Sequence, residues 1–194
     1  MKLNKTPSNV PKKWVQNIKP CTDKPLLAIS QCLLGDAVRY DGQKKYQPLL
    51  VEYLQTRFCL IAVCPEVEIG LGVPRAPLEL SGTPIQTRMT GRDDKQLDIT
   101  ETMLVYCRQK TLQLNNISGY VFKSRSPSCG LDDTPIFQYK KEIAQGAGLF
   151  ARAIKQHYKK LPLSDEKKLG DEVALQQFSH RVLHYYHQQR QQNK

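Results

Sequence analysis

The sequence lacks any run of about 18 apolar residues, so no membrane-spanning helix is expected and no membrane partner. Its first twenty residues, MKLNKTPSNVPKKWVQNIKP, carry lysines but no apolar centre and do not read as a secretory signal. There is no C-x-x-C pair and no ferredoxin-type cysteine run, so no local metal motif is present. The full G-x-G-x-x-G pattern is also missing. The GAG at 146–148 is a weak phosphate-loop signal, and close helix packing is the expected reason for it. No internal repeat occurs. Carboxylates are scarce beside cations: 18 Asp and Glu against 29 Lys and Arg leave a net charge of +11.

What is present is enough for one ordinary domain with a real core: 194 residues, 40% of them hydrophobic. Six cysteines stand at 21, 32, 59, 64, 107 and 129. They form no dense framework, so a reducing, cytoplasmic setting is expected, where clustered cysteines bind metal or do chemistry. The positive excess is uneven. Lys2, Lys5, Lys12, Lys13, Lys19 and Lys24 face only Asp23, and more cations gather over 152–168. Such clusters either track the phosphates of a polyanion or simply solvate a surface.

The chain divides into a flexible basic arm over 1–24, a main domain over 25–160, and a linker with an amphipathic C-terminal helix over 161–194. Trp14 is expected to dock, and Cys21 to be a free surface thiol. LLAIS at 26–30, FCLIAV at 58–63 and GYVFK at 119–123 read as buried strands. PLLVEYLQTR at 48–57, residues 98–116 and residues 142–160 have helical spacing. PIQTRMTGRD at 84–93 suits a strand entering a turn. Strands separated by helices predict an α/β fold, with an open, mainly parallel sheet flanked by helices.

That topology has a consequence for the cysteines. Cys32, Cys64 and Cys129 each follow a predicted strand closely. If the strands are parallel, all three emerge at the carboxyl edge of the sheet, where open α/β folds place their ligands. Three thiolates from separate loops can hold an iron–sulfur cluster with one iron left open, or a zinc with an open position. They can also be incidental. Cys59 and Cys107 read as core fillers.

The stretches SQCLLGDAVRYDG at 30–42, AVCPEVEIGLGVPRAPLEL at 62–80, LDIT at 97–100 and KSRSPSCG at 123–130 together resemble the TudS-like thiouracil desulfidase family. The segment LPLSDEKKLGDEVALQQFSHRVLHYYH is similar to the part that follows this domain in longer relatives. Those act on 4-thiouridine in tRNA and carry a further C-terminal domain. The resemblance implies that Cys32, Cys64 and Cys129 ligate a [4Fe-4S] cluster with one open iron. It further implies that this iron acts as a Lewis acid on a C=S bond, which is hydrolysed without net redox change to release sulfide.

Such a reaction needs a base for water and an acid for the ring nitrogen. Glu66, two residues past Cys64, is the first candidate. Ser126 and Asp36 follow, and Asp41 lies in the same loop as Asp36. Ser126 and Ser128 can orient water or bind a pyrimidine carbonyl, or can simply make the turn. Arg39, Arg75 and Lys123 can hold a phosphate or a uracil oxygen, or can pair with carboxylates, Arg75 with Glu79 for example. Tyr40 can stack on the base or merely pack. His180, His184 and His187 share one helix face, but an RNA-facing or solvated side is expected there rather than metal.

The expected function is removal of sulfur from 4-thiouridine in tRNA, a thiolated pyrimidine that must be extruded to be reached. One alternative substrate is free thiouracil or thiouridine monophosphate. An alternative of another class is a basic RNA-binding protein with a structural zinc.

Overall fold

Four short, largely apolar strands pair side by side in the computed structural model, which describes residues 24–192. They are β1 (Leu26–Ser30), β2 (Cys59–Val63), β5 (Ile117–Phe122) and β8 (Leu163–Asp165), in the order β2-β1-β5-β8, and every pair is parallel. The predicted basic arm, with Trp14 and Cys21, lies outside the described residues except for Lys24. Alternation along β1 sorts its side chains between two cores. Leu27 and Ile29, with Val121 of β5, face α1 (Pro48–Gln55) and α5 (Glu172–Gln192). Ala28, with Tyr120 and Phe122 of β5, faces α3 (Thr100–Gln113) and α4 (Leu149–His157). The α/β fold with helices on both faces of a parallel sheet is therefore the observed one.

A second sheet of four strands was not expected. It consists of β3 (Leu78–Gly82), β4 (Thr87–Gly91), β6 (Thr134–Gln138) and β7 (Lys141–Gly146), in the order β4-β3-β6-β7. Only β3 and β6 run parallel; the other pairs are antiparallel hairpins. Leu80, Met89 and Ile136 of this sheet pack into the same core as α3 and α4. The predicted helix over 142–160 is corrected here. Residues 141–146 are an exposed edge strand, and the helix starts at Leu149, after both glycines.

The stretch read as a polar linker contains β8, which continues the parallel sheet beside β5. Phe178 and Val182 of α5 are fully buried against that sheet. The approach is close at Gly119, where a Cβ would stand 2.8 Å from the Val182 side chain. Cys107 is buried as expected, whereas Cys59 is only half-buried at the start of β2. Among the described residues, no helix is long and apolar enough to cross a membrane.

Candidate functional site

Strand β1 has β2 on one side and β5 on the other, so the chain changes direction across the sheet at β1. A crevice opens at the carboxyl ends of strands at such a switch point. Three loops leave the sheet there. A short 3-10 helix, Gln31–Leu34, carries Cys32 and ends at Gly35 with φ 95°. Cys64 directly follows β2 and precedes α2 (Pro65–Glu68), whose first position holds proline, as its preset φ favours. Cys129 sits in the turn after β5. All three cysteines line one cavity of about 320 Å3.

The Cys129 turn is built by its own polar residues. The Ser126 hydroxyl accepts the Cys129 N–H at 3.1 Å, and the Ser126 carbonyl accepts the Gly130 N–H at 2.8 Å. The Pro127 carbonyl accepts the Leu149 N–H, and the Ser128 carbonyl accepts those of Phe150 and Ala151. The turn thereby satisfies the first free N–H groups of α4. Gly148 permits this contact, since a Cβ there would stand 2.5 Å from the Ser128 carbonyl carbon.

Burial dominates the chemistry of the thiols. It pushes Cys32 and Cys64 up to about 11, with the Cys64 charge adding to the effect on Cys32 and the Glu66 charge to that on Cys64. Burial also pushes Cys129 well above its ordinary value; the Ser30 hydroxyl opposes this, while the charges of Cys64 and Cys32 reinforce it. Cys32 and Cys129 thus each feel the ionisation of at least one other thiol of the cavity.

Glu66 is the carboxylate of the cavity. Arg75 donates twice to its Oε2, from Nε at 3.0 Å and from Nη2 at 2.8 Å, and the Ser128 hydroxyl donates to Oε1 at 2.5 Å. Ser126 Oγ lies 3.2 Å from Ser128 Oγ. A chain of hydroxyls therefore runs from the Cys129 turn to Glu66.

The cations predicted to meet substrate are mostly engaged by protein. Arg75 pairs with Glu66 rather than Glu79, which takes Lys95 instead. Lys123 donates to Glu166 and to the carbonyl and hydroxyl of Ser124. Arg39 pairs with Asp41 at 3.1 Å and lies near the Tyr40 ring, both lining the cavity. Asp36 is not brought to the cavity; it is exposed and accepts from Gln31. The histidine face of α5 lies apart from the cavity, with His180 and His184 lining a separate groove beside Lys160 and Arg181.

Two residues of the site were not singled out from sequence. Ser30 accepts the Lys123 N–H at 2.9 Å and faces Cys129. Glu166 accepts from both the backbone and the side chain of Ser124, as well as from Lys123. Burial works to raise Glu166, and those hydrogen bonds outweigh it, so its carboxyl is held below the usual range. Its only sequence signal was the short run LPLSD before it.

The donor set suits a thiolate-bound group. Three free thiols from three loops face one cavity, and their burial favours a cationic partner that takes the place of their protons. Among the described residues, no three His, Cys, Asp or Glu side chains are placed to share a single metal ion. A cluster asks less of its ligands, because each thiolate binds a different iron.

Comparison with known proteins gives the family. The family model for 2-thiouracil desulfurase matches residues 27–166. A solved structure described as the 4Fe-4S-dependent thiouracil desulfidase TudS is 28% identical, with a TM-score of 0.59 over 76% of this chain and 94% of that one. The uncharacterized protein YbbK of Bacillus subtilis (strain 168) is 26% identical over 140 residues, which is 68% of this chain and 90% of YbbK.

Proposed function

The chain belongs to the 2-thiouracil desulfurase family, and from that premise we propose that it is an iron–sulfur-dependent desulfidase. We assign it 4-thiouridine in tRNA as substrate, with uridine and sulfide as products. The observation that carries this reading is the meeting of three loop cysteines and one hydroxyl-linked carboxylate in a single cavity. Cys32, Cys64 and Cys129 would hold the cluster, and the bound cluster supplies a Lewis-acidic iron for the thiocarbonyl sulfur.

The remaining work falls to the chain's own groups. Arg75 fixes the Glu66 carboxylate at the cavity wall. Glu66 takes a proton from water, directly or through the Ser128 hydroxyl it already accepts from. Ser126 extends that path and also holds the Cys129 N–H. Tyr40 and Arg39 flank the space for a pyrimidine ring. Hydrolysis releases the sulfur as sulfide and needs no external electron donor. The three cavity thiols are free, which suits a reducing compartment although Cys59 is disulfide-bonded, and we place the reaction in the cytoplasm.

Support for a phosphorylated substrate comes from the cations left over. Lys45 and Arg125 line the cavity, and among the described residues neither side chain forms an ion pair, although the Arg125 N–H donates to Asp133 at 2.8 Å. Arg125 has φ 57°, an uncommon conformation for a side-chain-bearing residue. The Lys45 N–H reaches the Cys32 carbonyl at 3.3 Å, which tethers it to that loop. These two are the cations available for phosphate.

A second reading, free thiouracil or thiouridine monophosphate, is favoured by the cavity itself. About 320 Å3 lies at the small end for ligand sites. A base within RNA must be extruded to enter it. The structural-zinc alternative needs three donors close to one ion, and the described residues offer no such group.

The test is anaerobic incubation of reconstituted protein with thiolated tRNA and, in parallel, with 4-thiouridine monophosphate, assaying sulfide and residual thiouridine. Loss of sulfur from tRNA is expected. Loss only from the nucleotide supports the second reading. Loss from neither, with the cluster loaded, rejects both.

A further inference from the structure

A buried ion pair stands directly behind Cys64. Helix α2 is a single turn, and its two glutamates, two residues apart, leave on opposite sides. Glu66 turns to the cavity; Glu68 turns to α3. There Glu68 Oε2 meets Lys110 Nζ at 2.7 Å, with side chains 8% and 7% exposed. Its other oxygen, Oε1, accepts the Cys64 N–H at 3.3 Å. The Tyr106 hydroxyl also faces this carboxylate, and burial together with the Glu68 charge pushes it well above its ordinary value.

Stability alone is a poor account of such a pair. Removing two charges from water is costly, and apolar residues of similar volume usually serve as well or better. The pair is also placed where its effects reach the site. One carboxylate touches both a cavity thiol's own backbone and a lysine of another helix. The Glu68 charge is felt at the Cys64 sulfur.

We propose that Glu68 and Lys110 form a positioning pair for Cys64: Glu68 holds the Cys64 N–H, Lys110 anchors Glu68, and together they set the electrostatic field at the group that Cys64 binds. The inference rests on the reading of Cys64 as a cluster ligand. Neither residue touches substrate, so neither is catalytic. Anions near a cluster favour its oxidised state, and cations favour its reduced state.

The experiment is a redox titration of the reconstituted cluster, followed by its spectroscopic signature, in the parent, Glu68→Gln, Lys110→Met and the double variant. The couple serves as a gauge of the local field, not as a reaction step. Glu68→Gln should raise the midpoint potential, Lys110→Met should lower it, and the double variant should return close to the parent. No shift in either single variant, or shifts of one sign in both, overturns the proposal.

Iron release to a chelator covers the case in which a single variant does not fold. Glu68→Asp shortens the reach to the Cys64 N–H and should speed iron loss several-fold, while Lys110→Arg should keep the parent's rate and potential. Unchanged release in Glu68→Asp overturns the positioning role. A parent protein that takes up no cluster defeats the reading beneath the inference; a loaded parent with unresponsive variants defeats the inference alone.

Discussion

Glu66 and the three cavity thiols carry separable parts of the proposed chemistry, and their surroundings say how each should fail. Replacing Cys32, Cys64 or Cys129 by alanine should abolish cluster uptake and activity together, read by iron content and sulfide release. Glu66→Gln should keep the cluster and lower turnover by about 100-fold, the usual range for losing a general base. Arg75→Met would leave Glu66 buried without its cation, since the two side chains are only 8% and 12% exposed. It should destabilise the fold by roughly 3 kcal/mol in denaturant titration. The thiols themselves offer a pH test in cluster-free protein. A thiol pushed from 9.0 to about 11 holds roughly a hundredth of the ordinary thiolate at pH 8. Alkylation of Cys32 and Cys64 should be slow there despite their cavity position, and should accelerate as pH rises toward 11.

Between elements, the tightest dependence is that of the Cys129 turn on α4. The turn's carbonyls meet the helix's first N–H groups only because Gly148 has no side chain. Gly148→Ala should push the two apart and destabilise the protein by about 1–3 kcal/mol, the usual range for overpacking. It should also weaken cluster retention, measured by iron loss to a chelator, because Cys129 moves with its turn. The Glu166 link between β8 and the end of β5 gives a contribution with a definite sign. Its carboxyl is lower in the folded state, so the stabilisation is present above its unfolded value and is lost as pH falls through the folded one. Glu166→Gln should therefore flatten the acid side of the stability profile.

Across the whole molecule, net charge and local charge tell different things. A charge of +11 suits a polyanion, yet most cations at the cavity have protein partners. If Lys45 and Arg125 each neutralise one phosphate, the log–log salt dependence of tRNA binding should fall by about 1.5 when both become glutamine. An unchanged slope, measured by titration of cluster-free protein with tRNA, would move the phosphate contacts elsewhere on the surface.

The amino-acid sequence by itself determined the parallel sheet, the strand ends from which the three cysteines leave, and the family motifs around them. These are local properties: apolar runs, turn residues and short spacings survive without knowledge of the fold. The tertiary structure alone decided which charged groups face the cavity and which are already paired. Ser128 meets Glu66 across 62 residues of sequence, and Lys123 meets Glu166 across 43. No local pattern encodes such pairings, because they arise when separate loops converge at one sheet edge. The same reason explains why Asp36, close to Cys32 in sequence, faces solvent, and why Lys110, charged and in the last turn of α3, is buried. The second sheet stayed hidden for a related cause. Of its strands β4 alone was expected, within 84–93, whereas β7 buries too few side chains to show a period of two, and only its pairing partner makes it a strand.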